Sequence, residues 1–267
     1  MCCWVLSVVP CDSWGWRSLF FWPSVSVVLG AVFIKKYCAD PLHYNVHALH
    51  LPTVANSTSS AVMRRLTTLQ VFQVAGVVQL SMALFFAKMA RYGLMLWLPY
   101  YSVTVLKFTP ALGANLSLAF ELGGAFGSPF AVVVCDRYLK SRLVTGVVLY
   151  QVLAAVSLVG FLFAGSDEVP LLFVLTTASG VALNSTDLLI SGPIAAHIGR
   201  ANGGIEASVG GVVNGMGSCG AIFQGLLIGW VSVSFGWDAV LKGAAGVSAL
   251  AGLIAVSAAR IEQLHSL

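Results

Sequence analysis

Lys88, Arg91 and Tyr92 stand together in Ala87-Lys88-Met89-Ala90-Arg91-Tyr92-Gly93, between Phe85-Phe86 and Leu94-Met95-Leu96-Trp97. Lys88 and Arg91 are three residues apart, so on a helix they project from one face. The surrounding run is apolar enough to lie in a bilayer. A charge at that depth costs roughly 2.5–3.5 kcal/mol on insertion scales, so two of them call for a compensating anion. The guanidinium is a planar fork that grips an oxyanion through two hydrogen bonds, and the ammonium adds a movable point charge. The pair therefore predicts an oxyanion clamp, with the Tyr92 hydroxyl as a further hydrogen-bonding group. Snorkelling to an interface, or pairing with an acid inside the protein, is the plainer alternative.

Two acids fall inside apolar runs. Glu121, in Phe120-Glu121-Leu122-Gly123-Gly124, is the nearer in sequence to the cations. It is expected to be a partner that Arg91 leaves when a ligand arrives, a proton-titrating group, or half of a structural ion pair. Asp187, in Asn184-Ser185-Thr186-Asp187, is the second, expected to pair with a neighbouring helix or to face a water-filled cavity. Asp136, Arg137, Lys140 and Arg142 lie between two apolar runs. An acid at a helix end followed by several cations can hold one conformation closed and break in another. Simple solvation of the loop accounts for the cations but not for the acid.

Other polar residues point to no chemistry. His43, His47 and His50 are irregularly spaced in a polar segment, and His197 stands at the predicted cytoplasmic end of a span. The six cysteines, Cys2, Cys3, Cys11, Cys38, Cys135 and Cys219, show no Cys-x-x-Cys spacing, so neither a metal site nor a disulfide framework is indicated. The sequons at Asn56, Asn115 and Asn184 fall in the predicted cytoplasmic linker or in spans, where glycosylation is not expected. No His-Glu-x-x-His, no nucleophile elbow with a matching base, and no paired catalytic carboxylates occur, so an enzyme is not expected and no cofactor is implied.

The elements that must position these residues follow from composition. Of 267 residues, 58% are hydrophobic and 9% charged, and the mean hydropathy is +0.89. Soluble domains carry roughly 25% charged residues. Spans of roughly 20 apolar residues are read at about Ser18 to Ile34 and at roughly 76–104, 111–134, 143–164, 170–196, 209–233 and 239–259. That makes about seven. Long continuous runs fit helices rather than the short alternating strands of a barrel, so the chain is expected to be an all-α, multi-pass integral membrane protein. The glycine pairs Gly123/Gly127, Gly211/Gly215 and Gly225/Gly229 have the spacing that lets helix backbones approach closely.

Outside the spans, Lys35, Lys36, Arg64, Arg65, Arg137, Lys140, Arg142, Arg200 and Arg260 fall on one side, predicted cytoplasmic; Arg17, Lys107 and Lys242 fall on the other. The net charge of +4 is spread over such short segments, with no basic stripe interleaved with aromatics, so no nucleic acid is expected as a partner. Met1 to Pro10 is apolar but short and lacks a basic flank and a cleavage site, so a signal peptide is not expected. Ser13-Trp14-Gly15-Trp16 and Ser234-Phe235-Gly236-Trp237 each precede a span on the predicted outer side, a weak internal repeat that implies two units with one complete. The domains are accordingly expected to be residues 1–34, an extracytoplasmic segment and one helix; 35–75, a cytoplasmic central loop; and 76–267, six helices.

In this arrangement the chain resembles the organophosphate:phosphate antiporters of the major facilitator superfamily, especially the sugar-phosphate exchanger and glycerol-3-phosphate transporter branches. The resemblance rests on Phe86-Ala87-Lys88 through Tyr92, Trp97-Leu98-Pro99-Tyr100-Tyr101, Phe120 to Gly124 and Asp136-Arg137. It continues through Gly192-Pro193, Asn214 to Ala221 and Phe235-Gly236-Trp237. Val132 replaces a glycine usual in the loop motif, and Ser185-Thr186 replaces a common Gly-Pro in the tenth helix.

The resemblance implies the C-terminal six-helix bundle of a major facilitator fold plus one preceding helix. It further implies alternating-access exchange of an organophosphate for inorganic phosphate. Arg91 would hold the phosphoryl group, with Lys88 adding potential and Glu121 matching an acidic family position. Asp136, Arg137, Lys140 and Arg142 would form the cytoplasmic gating motif. It also implies that an N-terminal half, needed in cis or in trans, is missing. Two other readings are a transport-incompetent fragment or half-transporter subunit, and a facilitator of an unphosphorylated solute.

Overall fold

The computed structural model describes residues 18–37, 68–139 and 142–265, all helices and short connections, with no strand among them. The Ser13 to Trp16 repeat, the three linker histidines, Asn56, Arg64, Arg65, Lys140 and four of the cysteines lie outside the described residues. The chain divides into two units, Met1–Val62 and Met63–Leu267. Helix α1, Ser18–Tyr37, belongs to the first and ends on Lys35 and Lys36. The second contains α2 (Thr68–Phe72), α3 (Val77–Thr104), α4 (Pro110–Tyr138), α5 (Leu143–Phe163) and α6 (Val169–Leu189). A π-helical turn, Ile190–Ile194, joins α6 to α7 (Ala195–Ala201), followed by α8 (Glu206–Phe235) and α9 (Trp237–His265).

Among the described residues six stretches are long and apolar enough to cross a membrane: Phe20–Tyr37, Pro110–Tyr138, Leu143–Phe163, Val169–Ala201, Glu206–Phe235 and Trp237–Ala258. Helix α3 is equally long at 28 residues, but Lys88 and Arg91 dilute its apolar run. With it the described helices reach the seven expected, and the chain is an all-α, multi-pass membrane protein.

Local sequence sets the helix ends. Pro110 occupies the first turn of α4, where its missing N–H removes nothing, and the Thr109 side chain accepts a hydrogen bond from the Leu112 N–H at 3.3 Å. Between α8 and α9 the reversal is made at Gly236, whose φ of +80° is a conformation that a side chain disfavours.

In the second unit α4 packs along α6, α3 along α8, and α5 along α9. Close backbone approach carries the α4–α6 contact. A Cβ at Gly180 would press on the Phe120 carbonyl oxygen, and one at Gly123 on the Thr177 carbonyl oxygen. Gly127 lies against Val181. This glycine pair thus does what its spacing predicts. Gly211, Gly215, Gly225 and Gly229 do not: no described atom lies within 4 Å of a Cβ built at any of them. They belong to a side of α8 that no described residue of the second unit covers, where Asn214, Ser218, Ile222, Leu226 and Trp230 are also exposed.

The buried apolar residues form two clusters. One gathers the first turns of α3 up to Leu84 with Cys135, Val147, Leu189, Ile194, Val209 and Ala255. The other gathers α3 from Ala90 onward with Leu116, Phe120, Phe161, Leu172 and Leu183. Along α3 the gap between them falls at residues 85–89; along α6 it falls at 184–188. In this layer residues 85–89 sit about 12–18 Å into α3, a helix of about 42 Å, and Arg91 about 21 Å, at 1.5 Å per residue.

Candidate functional site

Lys88 and Asp187 fall in that layer, with Arg91 just beyond it, so the charged residues lie between the two apolar clusters and near the middle of α3. Lys88 is buried, and its stem is accommodated because Gly217 on α8 has no side chain: a Cβ there would lie 3.0 Å from the lysine Cδ. One turn later, a Cβ at Gly220 would meet the Phe85 carbonyl oxygen. The two glycines bring α3 and α8 close enough for the Lys88 Nζ to donate to Asn214 Oδ1 at 2.6 Å.

The carboxylate on this pair of cations is Asp187. Arg91 Nη1 donates to Asp187 Oδ2, and Lys88 Nζ lies 3.6 Å from Oδ1. Side-chain exposure is 7% for Lys88, 20% for Arg91 and 15% for Asp187, so the group is enclosed yet reachable. The Arg91 Nε is buried without a hydrogen-bond partner. The Arg91 guanidinium also lies 5.3 Å from the centre of the Tyr92 ring, within cation–π range.

Glu121 was the expected partner from sequence proximity. In the structure it lies half-buried on α4 and takes part in none of the ion pairs among the described residues. Depth explains the difference. Arg91 is fourteen residues from the start of α3 and Asp187 fourteen from the end of α7, both measured from the same predicted cytoplasmic side. Glu121 is seventeen from the end of α4, nearly one turn further out. Counting along the spans from the basic loops was the signal that would have selected Asp187. Asn214 had no such signal, since its role depends on how closely α8 approaches α3.

Asp136 and Arg137 occupy the last turn of α4, and Arg142 immediately precedes α5; all three are exposed. Lys140 lies outside the described residues. A further ion pair, Arg200 Nε to Glu206 Oε1 at 3.7 Å, clips the α7–α8 connection at the surface. Among the described residues no group of three His, Cys, Asp or Glu side chains is placed to hold a metal ion.

In chemical terms the site holds two fixed cations against one carboxylate, leaving one positive charge uncompensated. The arrangement can bind an anion. It contains no nucleophile–base pair.

No family model matches the chain. Among curated proteins, one of Arabidopsis thaliana named as a glycerol-3-phosphate transporter is 32% identical over 185 residues, covering 64% of this chain and 36% of that protein. A glucose-6-phosphate exchanger of Bos taurus is 31% identical over 173 residues, covering 63% of this chain and 35% of the exchanger. One of Mus musculus is 30% identical over 206 residues, covering 75% and 37%. The chain spans about a third of the length of these relatives. The homologues are transporters rather than enzymes, as the motif reading led one to expect.

Proposed function

We propose, for a chain whose homologues are glycerol-3-phosphate transporters and glucose-6-phosphate exchangers of the organophosphate:phosphate antiporter family, that it supplies one half of such a transporter. Residues 76–267 form that half, 1–34 the helix before it and 35–75 the connecting cytoplasmic loop. The other half acts in cis or in trans. The transported solute is a sugar phosphate or glycerol-3-phosphate, exchanged for inorganic phosphate as the halves rock about a site near the bilayer midplane.

The observation that carries this reading is the single uncompensated positive charge left where Lys88 and Arg91 share one carboxylate in the middle of the bundle. An anion that enters there relieves a charge that hydrocarbon disfavours. Arg91 takes the phosphoryl oxygens through its fork, Lys88 adds potential, and Tyr92 hydrogen-bonds the ester. Glu121, one turn outward of the cations, is the partner that Arg91 meets in another conformation. Asp136, Arg137, Lys140 and Arg142 close the cytoplasmic side when the site faces outward. No metal or cofactor takes part.

A second reading is a half-transporter subunit that does not itself transport. A facilitator of an unphosphorylated solute would leave the surplus cation without a use. Exchange of labelled phosphate or glycerol-3-phosphate in proteoliposomes containing the complete transporter tests the proposal. Arg91→Ala is expected to abolish exchange; unchanged exchange refutes the clamp. Absence of exchange with both halves present favours the subunit reading.

A further inference from the structure

We propose that Asp187 is the resident occupant of the anion site, a built-in competitor that the substrate phosphoryl group must displace. The inference rests on Lys88 and Arg91 being the anion ligands, and it assigns to a third residue the setting of their affinity.

A carboxylate kept purely for stability is held by further hydrogen bonds that satisfy its remaining lone pairs. Asp187 has none of these: among the described residues its carboxylate is engaged only by the two cations. The engagement is lopsided. One oxygen takes Arg91 Nη1, while Lys88 stands 3.6 Å from the other, beyond hydrogen-bond reach and turned to Asn214. The Arg91 Nε remains buried and unbonded.

A guanidinium that meets an oxyanion in its preferred way uses two parallel N–H groups. Asp187 fills one and leaves another empty. A phosphoryl group brings three acceptor oxygens and can satisfy the Arg91 Nε, a second guanidinium nitrogen and the lysine together. The site is thus occupied by an anion with too few oxygens for its donors.

The carboxylate also has somewhere to go. Asp187 stands at the end of α6, and three residues on the helix widens into the π turn Ile190–Ile194 that contains Gly192 and Pro193. The Asp187 carbonyl accepts from Ser191 Oγ at 2.5 Å, which ties the residue to that turn. Such turns break the regular hydrogen-bond ladder and recur at functional sites. Release of the carboxylate therefore bears on the one irregular element in this span, and substrate arrival on α3 is felt on α6.

The test measures the thermal stability of the full 267-residue chain in lipid nanodiscs against rising inorganic phosphate, for the native protein, Asp187→Asn, Asp187→Glu and Arg91→Ala. Asp187→Asn is expected to respond at phosphate concentrations at least ~10-fold lower than the native chain, the effect of losing one charged competitor. Asp187→Glu keeps the charge and is expected to respond no more readily than native.

A response of Asp187→Asn at the native concentration, with Arg91→Ala unresponsive, overturns this inference and leaves the reading of the clamp standing. No response in any form overturns both. Should Asp187→Asn not fold, the native chain decides: labelling of Asp187 by a hydrophobic carbodiimide is expected to rise as phosphate frees the carboxylate. Labelling that is unchanged or falls overturns the proposal.

Discussion

Lys88→Met separates a binding role from a structural one. The native side chain is 7% exposed, its Nζ is 2.6 Å from Asn214 Oδ1 and 3.6 Å from Asp187, and its stem fills the space opposite Gly217. Methionine keeps most of that volume and removes the charge. What is left is the Arg91–Asp187 pair, electrically neutral, and an Asn214 exposed enough to be hydrated.

Breaking a buried ion pair costs about 3–5 kcal/mol because it leaves an uncompensated charge, and this substitution leaves the neutral Arg91–Asp187 pair intact. The thermal midpoint is therefore expected to stay level or rise. Anion affinity moves the other way. A hydrogen bond to a charged group contributes about 1.5–3 kcal/mol, so phosphate binding should weaken ~10- to ~150-fold at about 1.4 kcal/mol per factor of ten.

The assay is a phosphate titration by calorimetry, paired with thermal unfolding of the ligand-free chain. Unchanged affinity at level stability would show that Lys88 faces no ligand. A large fall in stability would show that the network is structural and the reasoning from surplus charge mistaken.

Three further outcomes follow from the packing. Gly220→Val sets a branched side chain against the Phe85 carbonyl oxygen, so α3 and α8 must separate; a loss of about 1–3 kcal/mol is expected in thermal or denaturant unfolding, with phosphate binding lost as Lys88 leaves Asn214. Gln151 on α5 is fully buried with both side-chain polar atoms unpartnered, so Gln151→Leu is expected to leave stability level or raise it by about 1–3 kcal/mol, read as an upward shift of the thermal midpoint. Glu121→Gln is expected to leave phosphate affinity within about twofold and thermal stability within about 0.5 kcal/mol, since Glu121 takes part in no described ion pair, while slowing exchange in proteoliposomes.

How much of this was legible in the sequence differs by level. The spans were: backbone groups in hydrocarbon must bond within their own segment, so apolar run length converts directly to helix, and the reading at 143–164 meets a helix at Leu143–Phe163. The two cations were legible for the same reason, because charge is conspicuous against an apolar run. Their partner was not, since chain proximity favours Glu121 whereas contact is decided by depth and by which helices are neighbours. Helix α6 meets α3 across 96 residues of chain, a relation that no local pattern encodes. The glycine spacings show the same limit: Gly123 and Gly127 find a partner helix, whereas Gly211, Gly215, Gly225 and Gly229, with equal spacing, find none among the described residues. Spacing states that close approach is permitted, and only topology states what approaches.

The two apolar clusters give the charged layer its meaning. One turn before Lys88 on α3 is Leu84, in one apolar cluster, and beyond it Ala90 and Leu98 belong to the other, so the lysine stands between the two. The middle layer is where α3, α6 and α8 together supply a carboxylate and an amide oxygen, and where Asn214 opens onto the uncovered side of α8. In the proposed clamp, burial fixes the donors and the side of Asn214 left uncovered by described residues admits the ligand. A charge of +1 held there is disfavoured by a few kcal/mol on insertion scales. Ligand present at a hundred times its dissociation constant returns about 2.7 kcal/mol. The two magnitudes match, so in the proposed transporter an anion held at about a hundred times its dissociation constant offsets what the empty site costs.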